Sequence, residues 1–595
     1  MRGKNQLFIV ICLLWVSRIF SDVPLPRTRG PGVPYLFQSM HFQTVEMLVF
    51  PHRVSGMIPD RYSDLYWNPA AILQQPEKSV YLDFRSRTDI TSYTLPVLSP
   101  QDDAYAQWDD DAVIPRWYPQ TSISAVGTVP LYHAAALFPV GSRMTIGVFN
   151  RCIFDQGAYR SLPESWDSGW GDPERDYTGG NEPELQRLEV DDNQQTVLGM
   201  QSEIVVAYNL STKIDLGLRV GHYTYDRDGN LYDSRWVINP HSSTADLNDE
   251  TLQINGNHLE LGLGLMFRFN EKIRLGLYAG WISGKSTETI VSQDTAYAWS
   301  EKDTDTRYYN TNEYWLSRRE SFDSEGRHPR FALTFENRIS SKWLLRTFFS
   351  GTWSDTDISG WIASSDTTYT DRTYDDWELG STYFRRYESH SSREGGLNGF
   401  GTEKSQRWMG FASLIYTLDE DWLLFGGIQV CRSSFEQTID EDSDQHAHSW
   451  SEYSLYQPEL YEHDYSHEKT YAFHAQYDEW SVFLPIGIKA RVVQGFYVLL
   501  GTNMTLTLSD SEARGTLVYP HKVTRKWEDG ELVVEDEEIN RGEEFSSDPA
   551  KEFHRTVGKH FGIAYEHPAG IRVYFRSFGD ILESENWAFG FEMRW

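Results

Sequence analysis

Apolar positions recur every second residue along most of this chain, in runs that stop at short polar turns. The clearest run is His258 to Phe269, where Leu259, Leu261, Leu263, Leu265, Phe267 and Phe269 share one face. Glu260, Gly262, Gly264 and Arg268 share the other, with Met266 the one large apolar residue among them. Side chains of an extended strand point alternately to its two faces, so this spacing predicts a strand with one apolar and one polar side. After Asn270-Glu271-Lys272 the apolar face resumes with Ile273, Leu275, Leu277, Ala279 and Trp281. Ile204, Val206, Tyr208 and Leu210 lead through Ser211-Thr212-Lys213 to Ile214, Leu216, Leu218 and Val220 in the same way. The chain ends on such a strand: Trp587, Phe589, Phe591, Met593 and Trp595 oppose Asn586, Ala588, Gly590, Glu592 and Arg594.

Seven tight polar connections fall near 138–142, 211–213, 270–272, 339–341, 419–421, 492–495 and 567–569. With a first strand near 79–87 and a last near 586–595, these hairpins predict an all-β chain of about 14–16 strands, sixteen by direct count. The strands run roughly 9–14 residues, enough to cross a bilayer at a tilt. The other connections are long and polar, near 88–121, 155–196, 226–257, 284–328, 355–406, 437–470 and 509–556, with a short eighth near 579–585. Short turns at one end and long loops at the other are the layout of a transmembrane antiparallel β-barrel, its turns periplasmic and its loops external. A buried last strand of a soluble β-domain accounts for the terminal segment alone, but not for loops sorted by length. A free apolar edge also invites aggregation, and closure removes the edge. Strands such as 407–418 are apolar on both faces and receive no side from the pattern.

Composition narrows the class. The aromatic share is 14%, in keeping with aromatic girdles at two membrane interfaces, and the mean hydropathy of -0.52 excludes a polytopic helical membrane protein. A net charge of -32 argues against nucleic acid as a partner and suits a surface that faces water and divalent cations. Arg2 and Lys4 precede an apolar run from Leu7 to Val16, which reads as a secretory signal over 1–21 and is too short to span a bilayer as a helix. Cys12 lies inside that run. Cys152 and Cys431 are expected as two buried free thiols rather than a bridge. The free terminal Trp595 resembles the aromatic signal by which barrel proteins are recognised for assembly. Outer-membrane lipid and the barrel-assembly machinery are therefore expected partners, and the bacterial outer membrane the expected location.

Residues 22–78 lack the alternation. They open on a proline- and glycine-rich stretch and end with Asp60-Arg61-Tyr62-Ser63-Asp64-Leu65-Tyr66-Trp67-Asn68-Pro69-Ala70-Ala71-Ile72-Leu73, directly before the first strand. Asn-Pro is a turn former, because proline fixes its own φ and drives the preceding residue out of the helical region. An ordinary turn before a strand is thus one reading. In this place, however, Asn68-Pro69-Ala70 resembles the "NPA" element of the long-chain fatty-acid transporter (FadL-like) outer-membrane family, whose broader group includes PorV-like barrels. The resemblance is carried by about residues 53–87 and beyond that by architecture. It implies that 22–78 fold into the lumen of a 79–595 barrel as a hatch, with Asn68, Pro69 and Ala70 as hatch and ligand-gating elements. The family has fourteen strands where the pattern here counts sixteen, and the loops are unusually long and acidic.

Two prolines fall inside strands, Pro130 and Pro485. Proline cannot donate to the ladder, and a closed barrel has no free edge to hold it. Each sits at a bulge or strand end, or opens a gap in the wall through which an apolar ligand could leave. Asp226-Arg227-Asp228-Gly229-Asn230 has calcium-like spacing without a distal Glu, and reads as a loop turn. His446, His448, His463 and His467 read as solvated loop histidines rather than a zinc site. The acidic runs Asp440–Asp444 and Glu528–Glu538 read as external loops, with divalent bridges to lipopolysaccharide a secondary role. No nucleophile–base constellation stands out, so no enzyme, metal or cofactor is expected. The function implied is passive uptake of hydrophobic small molecules such as fatty acids. The alternative is a PorV-like anchor that holds or shuttles a secreted protein on its external loops.

Overall fold

Residues 57–60, 62–74, 77–85, 89–94, 122–127, 132–160, 186–239, 242–303, 306–376, 383–419, 422–454, 458–546, 550–577 and 587–595 are described by the structure, a computed structural model. The signal segment, all of 22–56, and Pro130 lie outside the described residues. The strands begin with β1 (Ser79–Arg85), β2 (Asp89–Thr94), β3 (Ser122–Gly127), β4 (Tyr132–Val140), β5 (Met144–Arg160) and β6 (Gln186–Ser211). They continue with β7 (Ile214–Asn239), β8 (Ser242–Arg268), β9 (Ile273–Asp303), β10 (Thr306–Arg338), β11 (Trp343–Asp376), β12 (Tyr383–Asp419) and β13 (Trp422–Ser454). The last are β14 (Pro458–Val493), β15 (Phe496–Glu528), β16 (Glu531–Ser546), β17 (Ala550–His567), β18 (Ile571–Ser577) and β19 (Trp587–Arg594).

Every strand from β4 onward pairs antiparallel with its sequence neighbour except at β16, and the sheet closes on itself. The closing strand β1 pairs with β19 from Ser79↔Arg594 to Arg85↔Ala588, and with β4 on its other side. The seam thus joins the terminal strand to the strand directly after Asn68-Pro69-Ala70. Strands β16 and β17 pair with successive halves of β15 and share one place in the wall. The 17-stranded sheet therefore has sixteen places around its ring. The hairpin β2–β3 continues β1 and β4 as a separate two-stranded ribbon.

The alternation sorts as expected. Leu259, Leu261, Leu263, Leu218, Val220 and Ile204 point outward and are about half exposed, while Glu260, Arg219 and Glu203 point inward and are buried. Phe589, Phe591, Met593 and Trp595 of the last strand face out, and Ala588 and Glu592 face in. Phe331, Trp353, Phe349 and Trp408 form a cluster of rings on the outer surface of β10–β12. Trp343 and Tyr416 pack at 4.5 Å near the turn end. A closed sheet with an outward apolar belt flanked by aromatics is a transmembrane β-barrel of the outer-membrane kind. No described helix is long and apolar enough to cross a membrane. Cys152 and Cys431 are buried and free.

The long loops are a correction. Residues 226–239, 242–257, 284–303, 306–328, 355–376, 383–406, 437–454, 458–470, 509–528, 531–546 and 550–556 are strand rather than loop. Strand β12 has 37 residues, about 120 Å of extended chain, where a bilayer needs roughly 11. The barrel wall therefore rises far beyond the membrane. Asp226–Asn230 is part of β7, so its carboxylates do not gather as a turn would gather them. The histidines 446, 448, 463 and 467 lie on β13 and β14, and Asp440–Asp444 pairs with Ala472–Glu468. The run Glu528–Glu538 folds as the tip hairpin of β15 and β16 around Asp529 and Gly530, both at positive φ. These stretches look like loops because neither face carries an apolar residue at every second place; the inner face holds only scattered ones. Backbone pairing needs no apolar face where water wets the outer side of the wall.

Inside this extension a second apolar cluster joins Phe322, Ile362, Leu397, Ile439, Tyr471, Phe473 and Leu517 from β10 to β15.

Two outcomes follow from this layout. Leu263→Arg places a charge in the middle of the belt and is expected to cost about 2–4 kcal/mol of folding free energy in lipid vesicles. Gln253→Arg, on the wetted part of the same strand, should fall within error of the parent in the same denaturant titration. Glu403 lies above the belt on β12 and accepts a hydrogen bond from Gln437 Nε2 at 2.9 Å. Burial pushes its carboxyl from 4.5 up to about 7, against the smaller lowering effect of that bond. A raised carboxyl binds its proton more tightly when folded, so its contribution is greatest below 4.5 and falls as pH rises toward 7. Glu403→Gln should flatten that part of the stability–pH curve measured between pH 4.5 and 8; an unchanged slope would count against it.

Candidate functional site

Residues 57–60 and 62–74 pack inside the lumen at membrane level. A five-residue helix α1 (Ser63–Trp67) is followed by a 3-10 helix (Pro69–Gln74), and Asn68 joins them in an extended conformation, φ -155° and ψ 110°. That break is the local effect of Pro69 on its predecessor. Met57, Ile58, Tyr62 and Leu65 are buried against inward Leu137, Phe149, Phe348, Phe411, Phe425 and Phe483 in one apolar cluster that involves most of the ring, and Ala70 is buried as well.

Asn68 is held through every polar atom of its side chain. Its Oδ1 accepts from the Ala70 backbone N–H at 2.9 Å. Its Nδ2 donates to the carbonyls of Leu265 on β8 at 2.9 Å and Leu277 on β9 at 3.3 Å. The backbone comes this close because the wall beneath it is glycine. A Cβ at Gly217 would lie 2.5 Å from the Pro69 carbonyl carbon, one at Gly264 2.7 Å from Pro69 Cδ, and one at Gly276 2.7 Å from Asn68 Nδ2. The structure thus brings Asn68, Pro69 and Ala70 onto a glycine floor across β7, β8 and β9. Met266, the apolar exception in its strand's inner face, is explained here: it lines the same space as Asn68 and Ala71. The glycines carried a sequence signal, as small residues on polar faces of three consecutive strands, but nothing in one sequence marks which partner sits on them.

Ion pairs tie down the rest. Arg346 of β11 grips Asp64 with both terminal nitrogens, at 3.0 and 2.9 Å, and its Nε lies 3.4 Å from Glu336. Arg219 donates to the Leu65 carbonyl. Tyr62 Oη donates to Ser79 Oγ at 3.0 Å and reaches Glu592 Oε1 at 3.3 Å, and so touches both sides of the seam. A cavity of about 20 Å³ remains beside Asp64, Trp67, Asn68 and Arg346, room for a single water.

Beside the segment lies a buried ionic cluster that the sequence reading missed. Glu260 accepts from Tyr278 Oη at 2.8 Å, from Tyr223 and from Arg330, while Arg219 Nη1 stands 3.5 Å away. Glu203 pairs with Arg151 at 2.8 Å and Arg219 at 3.3 Å. The members come from six neighbouring strands, β5 to β10, and are all nearly inaccessible to solvent. Their separation in the chain hides them, since only the register of six successively paired strands brings 151, 203, 219, 260 and 330 together.

Pro485 faces inward and is buried on β14. Its pairing with Asn503 on β15 is kept. Toward β13 the ladder runs Gly426↔Ile486 and then Gln429↔Phe483, so two residues on each strand are unpaired while the register holds. The wall therefore has a short gap in its ladder there, without a bulge. From the lumen, the Met57 side chain covers it: a Cβ at Gly427, opposite Pro485, would lie 2.6 Å from Met57 Cε. Ser413 Oγ holds the Met57 carbonyl at 2.5 Å.

Gly264→Ala is expected to unseat Asn68-Pro69-Ala70, because backbone and a proline ring cannot yield as a flexible side-chain end would. Asp64→Ala leaves Arg346 with Glu336 as its remaining carboxylate and should cost about 1.5–3 kcal/mol, the range for hydrogen bonds to a charged group. Both changes are expected to raise the rate at which a cysteine placed at Ala71 reacts with a water-soluble maleimide, in a background lacking Cys152 and Cys431. An unchanged rate in both would show that the segment is not held by these contacts.

No protein-family model matches the chain, and no curated protein matches it. Among solved structures, the toluene transporter TodX of Pseudomonas putida is 9% identical, with 84% of this chain and 98% of that chain covered and a TM-score of 0.27. A FadL homologue of Pseudomonas aeruginosa is 10% identical, covering 91% and 95%, with a TM-score of 0.25. The outer membrane protease OmpT of Escherichia coli is 14% identical, covering 60% and 97%, with a TM-score of 0.19. Scores this low carry no argument, and the barrel rests on the closed pairing and the apolar belt described above.

Proposed function

We propose that this protein is an outer-membrane channel for passive entry of hydrophobic small molecules, and that residues 57–74 are its hatch in the closed position. The observation that carries this reading is Met57 packed over the interrupted ladder at Pro485. A plug and a weak place in the wall meet at one point, where the apolar cluster of Met57, Phe425 and Phe483 lies beside Ser413 and Gln429. Withdrawal of Met57 would leave an apolar hole between lumen and lipid. Fatty acids suit such a path, because burial of an alkyl chain is favourable by about 0.8 kcal/mol per methylene. Asn68, Pro69 and Ala70 act as the seat of the hatch, and Asp64–Arg346 as its tether. Pro130 keeps the same suggested role only by its place in the sequence.

A second reading is favoured by the height of the wall. Strands of 26 to 37 residues raise a paired, charged surface far outside the membrane. A surface of that kind suits a protein partner, as in the anchor expectation.

The test is transfer of a fluorescent fatty acid into proteoliposomes. The intact protein should speed transfer over vesicles carrying heat-denatured protein. Pro485→Val restores an N–H donor to the ladder and should slow transfer several-fold, whereas Asp64→Ala should speed it. Transfer at the denatured-protein rate would overturn the channel reading.

A further inference from the structure

At the far end of the extension, beyond the second apolar cluster along β11–β15, lies a cavity of about 370 Å³. Small-molecule sites measure about 300–1,000 Å³. Its floor is hydroxyl: Thr368 on β11, Ser389 and Ser391 on β12, and Ser449 and Ser451 on β13. The register sets them side by side, Thr368↔Ser391↔Ser449 in one row and Ser389↔Ser451 in the next. No hydrogen bond joins any of these five side chains to another described residue. Tyr387 and Tyr461 add rings, with Arg372 already over the Tyr387 ring at 5.9 Å. Lys526 and Glu528 stand two residues apart on β15, opposite His463 and Tyr461.

The lining excludes several ligands. An apolar molecule would strip water from five hydroxyls and return nothing. A phosphate or other compact anion would meet Glu528 as well as Lys526. A ligand rich in hydroxyl groups fits: each serine or threonine can both donate and accept, a carboxylate can bridge two vicinal hydroxyls, an ammonium can donate to a ring or hydroxyl oxygen, and a tyrosine ring can cover the apolar face of a sugar. We infer that this rim cavity is a binding site for a saccharide, taken from outside the cell and held apart from the membrane-level lumen. It does not depend on the channel reading, since the apolar cluster from Ile362 to Leu517 lies between the two along the strands.

The test is isothermal titration calorimetry of the full chain in a zwitterionic detergent without a sugar head group. One arm uses free glucose, galactose, mannose and N-acetylglucosamine; the other uses core oligosaccharide released from lipopolysaccharide. Saturable binding in either arm is expected, and the arm that binds names the source. The double variant Ser389→Ala/Ser449→Ala should weaken it at least tenfold and Lys526→Gln several-fold, while both variants keep the heat-dependent gel migration of a folded barrel. Asp64→Ala, at the other site, should bind as the parent does. Absence of binding in both arms, or equal binding by the folded serine double variant, would overturn the proposal.

Discussion

The rest of the structure depends on closure of the backbone ladder. Within hydrocarbon no water can satisfy an N–H or C=O, so each strand must find partners on both sides. The seam of β1 with β19 and β4 completes that requirement, and it is short: β1 has seven residues and β19 eight. Tyr62 bonds to Ser79 on one side and reaches Glu592 on the other, so the luminal segment is fastened to the join. The gap at Pro485 stands out against this constraint, because it leaves ladder positions open where lipid offers nothing in exchange. Met57 shields those positions from the inside.

The inner face answers a different demand. A barrel of sixteen places encloses more space than wall side chains alone can fill. Residues 57–74 supply the missing volume, and the wall adapts to them: glycine where backbone must approach, phenylalanine where it must reach, arginine where helix and turn leave carbonyls and carboxylates. The buried cluster of Arg151, Arg219, Arg330, Glu203 and Glu260 is a liability taken singly, since an unpaired buried charge is costly. Taken together, each carboxylate is shared by two guanidiniums, and Arg219 fastens Leu65 as well. Below the rim the wall thus holds itself closed; above, it opens into a polar cavity of another character.

Periodicity made the membrane part legible. Leu259–Phe269 and Trp587–Trp595 could be assigned their outward faces because lipid demands apolar residues at every second place, and the described turns lie where that alternation is interrupted. Strand 407–418 could not be assigned, and the structure gives the reason: Met409, Phe411 and Ile415 face the apolar core of the lumen while Trp408 and Leu414 face lipid. The polar extensions were read as loops for the converse reason, since a strand such as 437–454 wetted outside carries little period-two signal although its backbone is paired throughout.

The sequence by itself therefore determined the membrane, the sidedness of the strands, the turns and the place of Asn68-Pro69-Ala70 before the first strand. Each of these follows from a local rule, either the two-residue period or the constraint that proline sets on its neighbour. Only the tertiary structure decided what that motif rests on, which charges meet in the lumen, how high the wall stands and where hydroxyls gather at its rim. Those features join residues distant in the chain, and their partners are chosen by the register of a closed sheet, which no local pattern encodes.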